Sequence, residues 1–263
     1  ISTTKIREMV WKRPLKRYQG GLSVYEEPQP RNQYMITVDV SRGIGKDYSA
    51  FTVINVSEFP YKVVAKYQNN EISPMVFPNT IYETATHFNQ AMVLVEVNDI
   101  GEQVGMILYN DLEYENVIMT EHGGRNGQRI SSGFGGNVYY GVRMTGNVKK
   151  IGMANLKTMI ESDKLLIHDV DIITELSTFV QKRNSYEAEE GYNDDLVMCL
   201  IIFGWVSNQE YFKELTNSDI RKKLEKEREQ EIMESTLPPG FVVSGEEEES
   251  FIDTDGNVWF TVR

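Results

Sequence analysis

Along residues 34–40 (YMITVDV) the side chains alternate, with Met35, Thr37 and Asp39 on one face and Ile36, Val38 and Val40 on the other. A period of two is that of a β-strand, so an early element carries an acid, Asp39, near its end, just before the turn SRGIGKD. Two further apolar runs, 49–56 (SAFTVINV) and 61–67 (YKVVAKY), follow after short loops and predict a three-strand meander. Residues 79–90 then show a helical period, with Ile81, Tyr82, Ala85 and Phe88 on one side and Pro78 near the start. The run 91–97 (AMVLVEV) is almost continuously apolar, as in a strand covered on both faces. Glu96 interrupts it near the end, and a charge there is costly unless paired, protonated or bound to a metal.

The same pattern predicts a helix over 101–112, a short strand at 117–119, a helix over 149–162 and a strand at 165–167. Asp169 is placed to cap a helix reaching Phe179. In GYNDDLVMCLIIFGW, Asp194 and Asp195 open a strongly apolar helix running to about Val206. The predicted class is α/β, with a mixed sheet: an antiparallel meander followed by alternating helices and strands.

Composition changes this picture in a few places. A chain of 263 residues, 40% of them hydrophobic, can bury a sizeable core. Its longest apolar run, 196–203, falls well short of the ~20 residues that span a membrane, so no membrane partner is expected. A single cysteine, Cys199, excludes an intrachain disulfide or a thiolate zinc cluster and fits an intracellular setting. His87, His122 and His168 are scattered, which argues against a histidine metal site or a histidine-based triad.

The net charge of -12 is unevenly spread. Residues 1–31 hold seven Lys or Arg against three Glu, whereas 207–263 hold seven basic against fourteen acidic residues. Residues 1–31 read as a basic linker or docking arm, and 210–263 as a charged helix (217–234) and an acidic tail. Between 123 and 146 lie eight of the twenty glycines, within a segment, 122–147, that reads as a loop or hairpin insertion. Its Arg125, Arg129, Tyr139, Tyr140 and Arg143 suit a flexible contact with a polyanion, or the insertion is merely a tolerated surface loop.

Three acids therefore stand at three element ends: Asp39, Glu96, and the pair Asp194 and Asp195. On one edge of a mixed sheet such carboxylates would repel one another, and Mg²⁺ or Mn²⁺, which prefer oxygen ligands, relieve that repulsion. Two such ions activate a water and stabilise the leaving oxygen in phosphodiester hydrolysis. Blander roles remain open: Asp39 could begin a turn, one of Asp194 and Asp195 could be a helix N-cap, and Asp47 could close the glycine turn or support the site. The turn containing Gly43 and Gly45 lacks the spacing of a Walker motif.

The blocks MITVDVSRGIGKDYSA, VLVEVNDIGEQV, LYNDLEYENV, GNVKKIGMANLKTMIESDKLLIHD and EEGYNDDLVMCLIIFGW together resemble the nuclease domain of the large terminase subunit, the DNA-packaging motor, of T4-like tailed bacteriophages. The resemblance runs from about Tyr34 to Trp205. It implies an RNase H-like fold with helices on both faces, and a metal-dependent endonuclease that cuts concatemeric double-stranded viral DNA. It places the catalytic, metal-holding acids at Asp39, Glu96 and Asp195, with a further acid at Asp47. It also implies an N-terminal ATPase domain preceding Ile1, a portal protein and a small terminase subunit as partners, and action in the host cytoplasm, transiently at the capsid portal.

The expectation is a two-metal mechanism in a nuclease domain spanning 32–209. Asp39 is shared between the ions, Glu96 and Asp195 hold one each, and Asp47 and Asp194 support them. Lys149, Lys150 and Arg143 are candidate DNA contacts, although the two lysines could equally be a solvated helix start. Two rival readings are a non-catalytic docking module of a packaging motor and a phosphotransferase of the actin and sugar-kinase type. The latter lacks the second domain and further phosphate loops it would need.

Overall fold

The computed structural model describes residues 1–45, 47–122, 127–131, 138–182, 185–216, 250–252 and 258–260. The chain divides into one unit over 1–218 and a second over 219–263. In the second, β13 (Ser250–Ile252) and β14 (Val258–Phe260) pair antiparallel. The charged helix expected at 217–234 lies outside the described residues, as do 123–126 and 132–137 of the glycine-rich insertion.

In the first unit the meander is β3 (Tyr34–Asp39), β4 (Ser49–Asn55) and β5 (Tyr61–Asn69), antiparallel in succession. Beside β3, on its other edge, runs β6 (Met92–Val95) in parallel, with Met35 opposite Met92 and Val38 opposite Val95. A parallel neighbour requires a crossover, and α2 (Phe77–His87) supplies it, with Pro78 in its first turn. The outer edge of β5 is paired twice. β10 (Leu165–Leu166) lies parallel to its start, and β2 (Leu22–Val24), itself paired with β1 (Lys16–Arg17), lies antiparallel to its end. Seven strands thus form the sheet among the described residues. The stretch read as a basic arm is therefore partly sheet, because Ser23 and Val24 satisfy the backbone edge of β5 and are buried doing so.

Alternation along the strands sorts the core into two layers. Ile36, Val38, Phe51, Val53, Val93 and Val95 face α2 and α3 (Gly101–Met106). Met35, Ala50, Ile54 and Leu94 face α4 (Gly146–Glu161), α5 (Val170–Thr178) and α6 (Asp195–Val206). Helices on both faces of a mixed sheet explain why β6 reads as a nearly unbroken apolar run, and why Met35 and Thr37 of β3 are buried along with Ile36 and Val38. The helix expected over 101–112 is α3 continued by a π-helical turn, Ile107–Asp111, closed by Leu112 N donating to Ile107 O (2.9 Å). The strand expected at 117–119 is only a single parallel bridge from Val117 to Val93; β7 (Thr120–His122) starts later and pairs with β8 (Gln128–Ile130) and β9 (Val138–Tyr139).

Every residue of α6 except Met198 is buried, which accounts for its lack of a polar face. It packs on α4 through two glycines. A Cβ on Gly152 would overlap the carbonyl oxygen of Ile201, and one on Gly204 would overlap that of Gly152. Among the described residues no helix is long and apolar enough to cross a membrane.

Candidate active site

Since Val38 stands opposite Val95, the next residues along, Asp39 and Glu96, lie side by side, and Glu96 N donates to Val38 O (2.9 Å). Their side chains leave the same face of the sheet as Ala50 and Leu94, toward α6. Glu96 is further tied by a bridge from its backbone to Val142. Gly101, opening α3, lies so close that a Cβ there would overlap the Glu96 carbonyl oxygen. Asn98 Nδ2 donates to Glu96 Oε1 (3.0 Å) and to Met144 O (3.2 Å), holding the carboxylate against the segment that leads into α4.

Helix α6 crosses beneath this pair. Cys199 Sγ reaches Ala50 O (3.5 Å), and Ala50 is the antiparallel partner of Asp39. One turn earlier on the same helical face stands Asp195, as the i, i+4 relation requires. The Asp195 carboxylate accepts from the backbone N–H of Tyr48, in the turn that carries Asp47.

The electrostatics follow from this crowding. Asp39 keeps part of its surface open but is densely ringed by protein, and that desolvation, followed by the charges of Glu96 and Asp195, pushes its pKa well up. The Glu96 pKa is also raised by burial, while hydrogen bonds from the Asp39 carboxyl and Asn98 and the charge of Lys149 pull it back. Of the two, Asp39 is the acid held more strongly toward its neutral form. Burial, then Asp194 and Asp47, push Asp195 up to about 7.

The carboxyls are arranged as a pair plus one, Asp39 with Glu96 and Asp195 with Tyr48. Among the described residues no three acids, histidines or cysteines are already gathered around a common ion-sized point. By chemistry the donor set nonetheless suits a hard divalent cation: it is all carboxylate oxygen, partly desolvated and mutually repelling once ionised.

The supporting residues fall in different places. Asp194 occupies the N-cap position of α6 without capping it; its Oδ2 instead accepts from Ala188 N (3.2 Å), at the end of β12 (Ser185–Ala188), the partner of β11 (Phe179–Lys182). The cap comes from a residue that sequence reasoning did not single out. Glu175 Oε2 accepts from Leu196 N (2.9 Å) and Val197 N (3.0 Å). Its signal was present, since Glu175 shares the buried stripe of α5 with Ile172 and Leu176, a charge on an apolar face just as Glu96 is.

Asp47 is exposed but close enough to Asp195 to raise its pKa. Lys149 is half-buried, its Nζ 5.9 Å from the Phe179 ring centroid and its charge felt by Glu96. Lys150 is exposed on the first turns of α4. Arg143 is exposed too, its guanidinium 5.8 Å from the Tyr139 ring and its backbone pinned to the Gln128 side chain at both N–H and C=O.

Residues 36–218 match a family model described as the terminase RNaseH-like domain. Among solved structures, the chain is similar to the large terminase nuclease from thermophilic phage G20c with bound magnesium. The TM-score is 0.59 at 17% identity, over 79% of this chain and 96% of that one. With bound cobalt, the G20c nuclease gives 0.58 at 18% over the same shares. The nuclease domain of the Thermus phage P74-26 large terminase gives 0.55 at 18%, over 76% of this chain and 91% of that one.

Proposed function

Because the chain belongs to the terminase RNaseH-like domain family, we propose that it is a metal-dependent endonuclease that cuts double-stranded viral DNA during genome packaging, with low sequence specificity. The observation that carries this reading is the convergence of Asp39, Glu96 and Asp195 from two parallel strand ends and one helix start, with the pKa of each raised first by burial and further by acidic neighbours. Structural ion-pair networks also perturb acids, but among the described residues none of the three forms an ion pair with Lys, Arg or His, which is the arrangement a cation-binding site needs.

Asp39, Glu96 and Asp195 are the residues that would hold Mg²⁺ or Mn²⁺, two ions in the full reading, with Asp47 and Asp194 in support. Bound there, such ions supply Lewis-acid activation of a water and stabilisation of charge on the leaving oxygen. The protein's own part is to present three carboxylates from rigid elements. The β3–β6 ladder sets Asp39 against Glu96, Asn98 orients Glu96, and the Tyr48 N–H holds Asp195. A bound cation would favour the ionised carboxylates of Asp39 and Glu96, which burial and mutual repulsion otherwise disfavour. Lys149 beside Glu96, with Lys150 one residue on, offers positive charge to a DNA phosphate at the mouth of the site. Contacts of that kind read backbone rather than bases, so binding weakens steeply with salt.

Within the motor we assign the chain to the nuclease part of a T4-like large terminase subunit. An ATPase domain of the same subunit, a portal protein and a small terminase subunit would govern when DNA reaches it. Incubation with supercoiled plasmid and Mg²⁺ or Mn²⁺ tests the reading. Nicking that is lost both with EDTA and in Asp39→Asn supports it, whereas plasmid left intact under all conditions would favour a docking role.

A further inference from the structure

We infer that Glu175, held in place by Gln68, is a positioning residue that sets where Asp195 stands relative to Asp39, an inference that rests on the nuclease reading above. The first turn of a helix leaves backbone N–H groups without partners, and the residue usually responsible for them is the N-cap side chain. In α6 that residue, Asp194, bonds Ala188 instead. The N–H groups of Leu196 and Val197 both go to one oxygen, Glu175 Oε2, on a different helix. The other oxygen, Oε1, accepts from Gln68 Nε2 (3.0 Å) on β5.

The path then closes on itself. Gln68 is the ladder partner of Ala50, and Ala50 is the ladder partner of Asp39. Asp39 is thus connected across the sheet to Gln68, from Gln68 to Glu175, and from Glu175 to the two residues that directly follow Asp195. One turn further along α6, Cys199 Sγ meets Ala50 O in the same row. The start of α6 is fixed by the sheet that carries Asp39, not by the loop before it.

Glu175 is 6% exposed and close enough to Asp195 to feel its charge. A buried carboxylate is a poor choice for cohesion alone, because an apolar side chain of similar volume in such a place is often as stable or more so. What the carboxyl group provides is geometry: two bonds from adjacent N–H groups to one oxygen fix both the position and the rotation of the helix start. A local N-cap could satisfy the same N–H groups but would let α6 move with the 189–194 loop. Residues one step removed from metal-binding groups commonly change metal affinity or activity about 10–100-fold when replaced.

The experiment compares the chain with its Glu175→Ala, Glu175→Gln and Gln68→Leu variants. It measures the Kd for Mn²⁺ by calorimetry, kcat and KM for plasmid nicking, and Tm, with binding and kinetics recorded well below the lowest Tm. Glu175→Ala is expected to weaken Mn²⁺ binding and lower kcat about 10–100-fold with KM for DNA little changed. Glu175→Gln, which keeps an acceptor for Leu196 and Val197, recovers most of both. Gln68→Leu, which keeps the cap but frees Glu175 on one side, shifts them in the same direction by less and stands in should Glu175→Ala fail to fold. A lowered Tm with Kd and kcat equal to those of the unmodified chain would make Glu175 a purely structural cap and overturn the inference. If the unmodified chain neither binds Mn²⁺ nor nicks plasmid, it is the nuclease reading that fails, and the inference falls with it.

Discussion

Arg42 and Asp99 join the two loops that follow the acid-bearing strands, each three residues beyond its acid: Arg42 Nε and Nη2 both donate to Asp99 Oδ2, at 3.0 and 2.6 Å. The side chains are 66% and 65% exposed, and exposed pairs contribute about 0–1 kcal/mol. The β3–β6 ladder, not this pair, therefore sets the spacing of Asp39 and Glu96. Arg42→Ala should shift unfolding free energy by less than about 1 kcal/mol and leave Mn²⁺ affinity almost unchanged. Asp99 has a φ of 51°, so Asp99→Ala should cost about 1 kcal/mol more than Arg42→Ala, and Asp99→Gly should remove that excess. Urea unfolding of the three variants is the check.

Asp39 is the acid whose replacement separates chemistry from stability. An Asn there removes a charge that is costly to hold beside Glu96 and away from water, and its amide can donate to the Glu96 carboxylate. Asp39→Asn is expected to keep or raise Tm while lowering metal-dependent nicking by at least about 10²-fold, the scale of losing a group that holds the reaction's charge. A fall in Tm alongside nicking near that of the unmodified chain would show that Asp39 belongs to the fold and not to the site.

Asp195 and Glu175 both have pKa values pushed up to about 7, chiefly by burial. The folded chain therefore holds protons that the unfolded chain has already released, and their contribution to stability is complete below the ordinary carboxylate range and lost as pH rises through about 7. In EDTA this contribution makes Tm fall between about pH 5 and about pH 8, and Glu175→Gln should flatten the slope. A cation binds the ionised carboxylates, so the rise in Tm on adding Mn²⁺ should be larger at about pH 8 than at about pH 6. Thermal melts with and without Mn²⁺ across this range decide the matter. An equal rise at both ends would place metal binding away from these acids.

The α4–α6 crossing has no room for a methyl group at either glycine. Gly152→Ala or Gly204→Ala should destabilise the chain by about 1–3 kcal/mol, the usual range for overpacking, even though Ala is the better helix former by about 1 kcal/mol. Denaturant midpoints measure this directly. Because α6 carries Asp195, the same substitutions should also weaken Mn²⁺ binding, and a variant that is destabilised without that loss would uncouple the crossing from the site.

What the sequence determined by itself was local and periodic. The meander and the strand before Glu96 were legible because their alternation and apolar runs report burial residue by residue. The cap at Asp169 was legible as well; its Oδ1 accepts from Ile172 N (2.8 Å), because a cap involves only neighbours in the chain. The acids were visible for the same reason, as charges interrupting apolar patterns. Tertiary structure alone decided which groups meet. That β6 lies parallel beside β3, so that Asp39 and Glu96 stand side by side, depends on a register between strands more than fifty residues apart. That Asp194 leaves its helix uncapped and Glu175 takes its place depends on α5 packing across α6, and that residues of the basic arm become sheet depends on an unpaired edge of β5. Each of these is a long-range pairing of polar groups, satisfied by whichever partner the packed core brings within reach, and no periodicity along the chain encodes that choice.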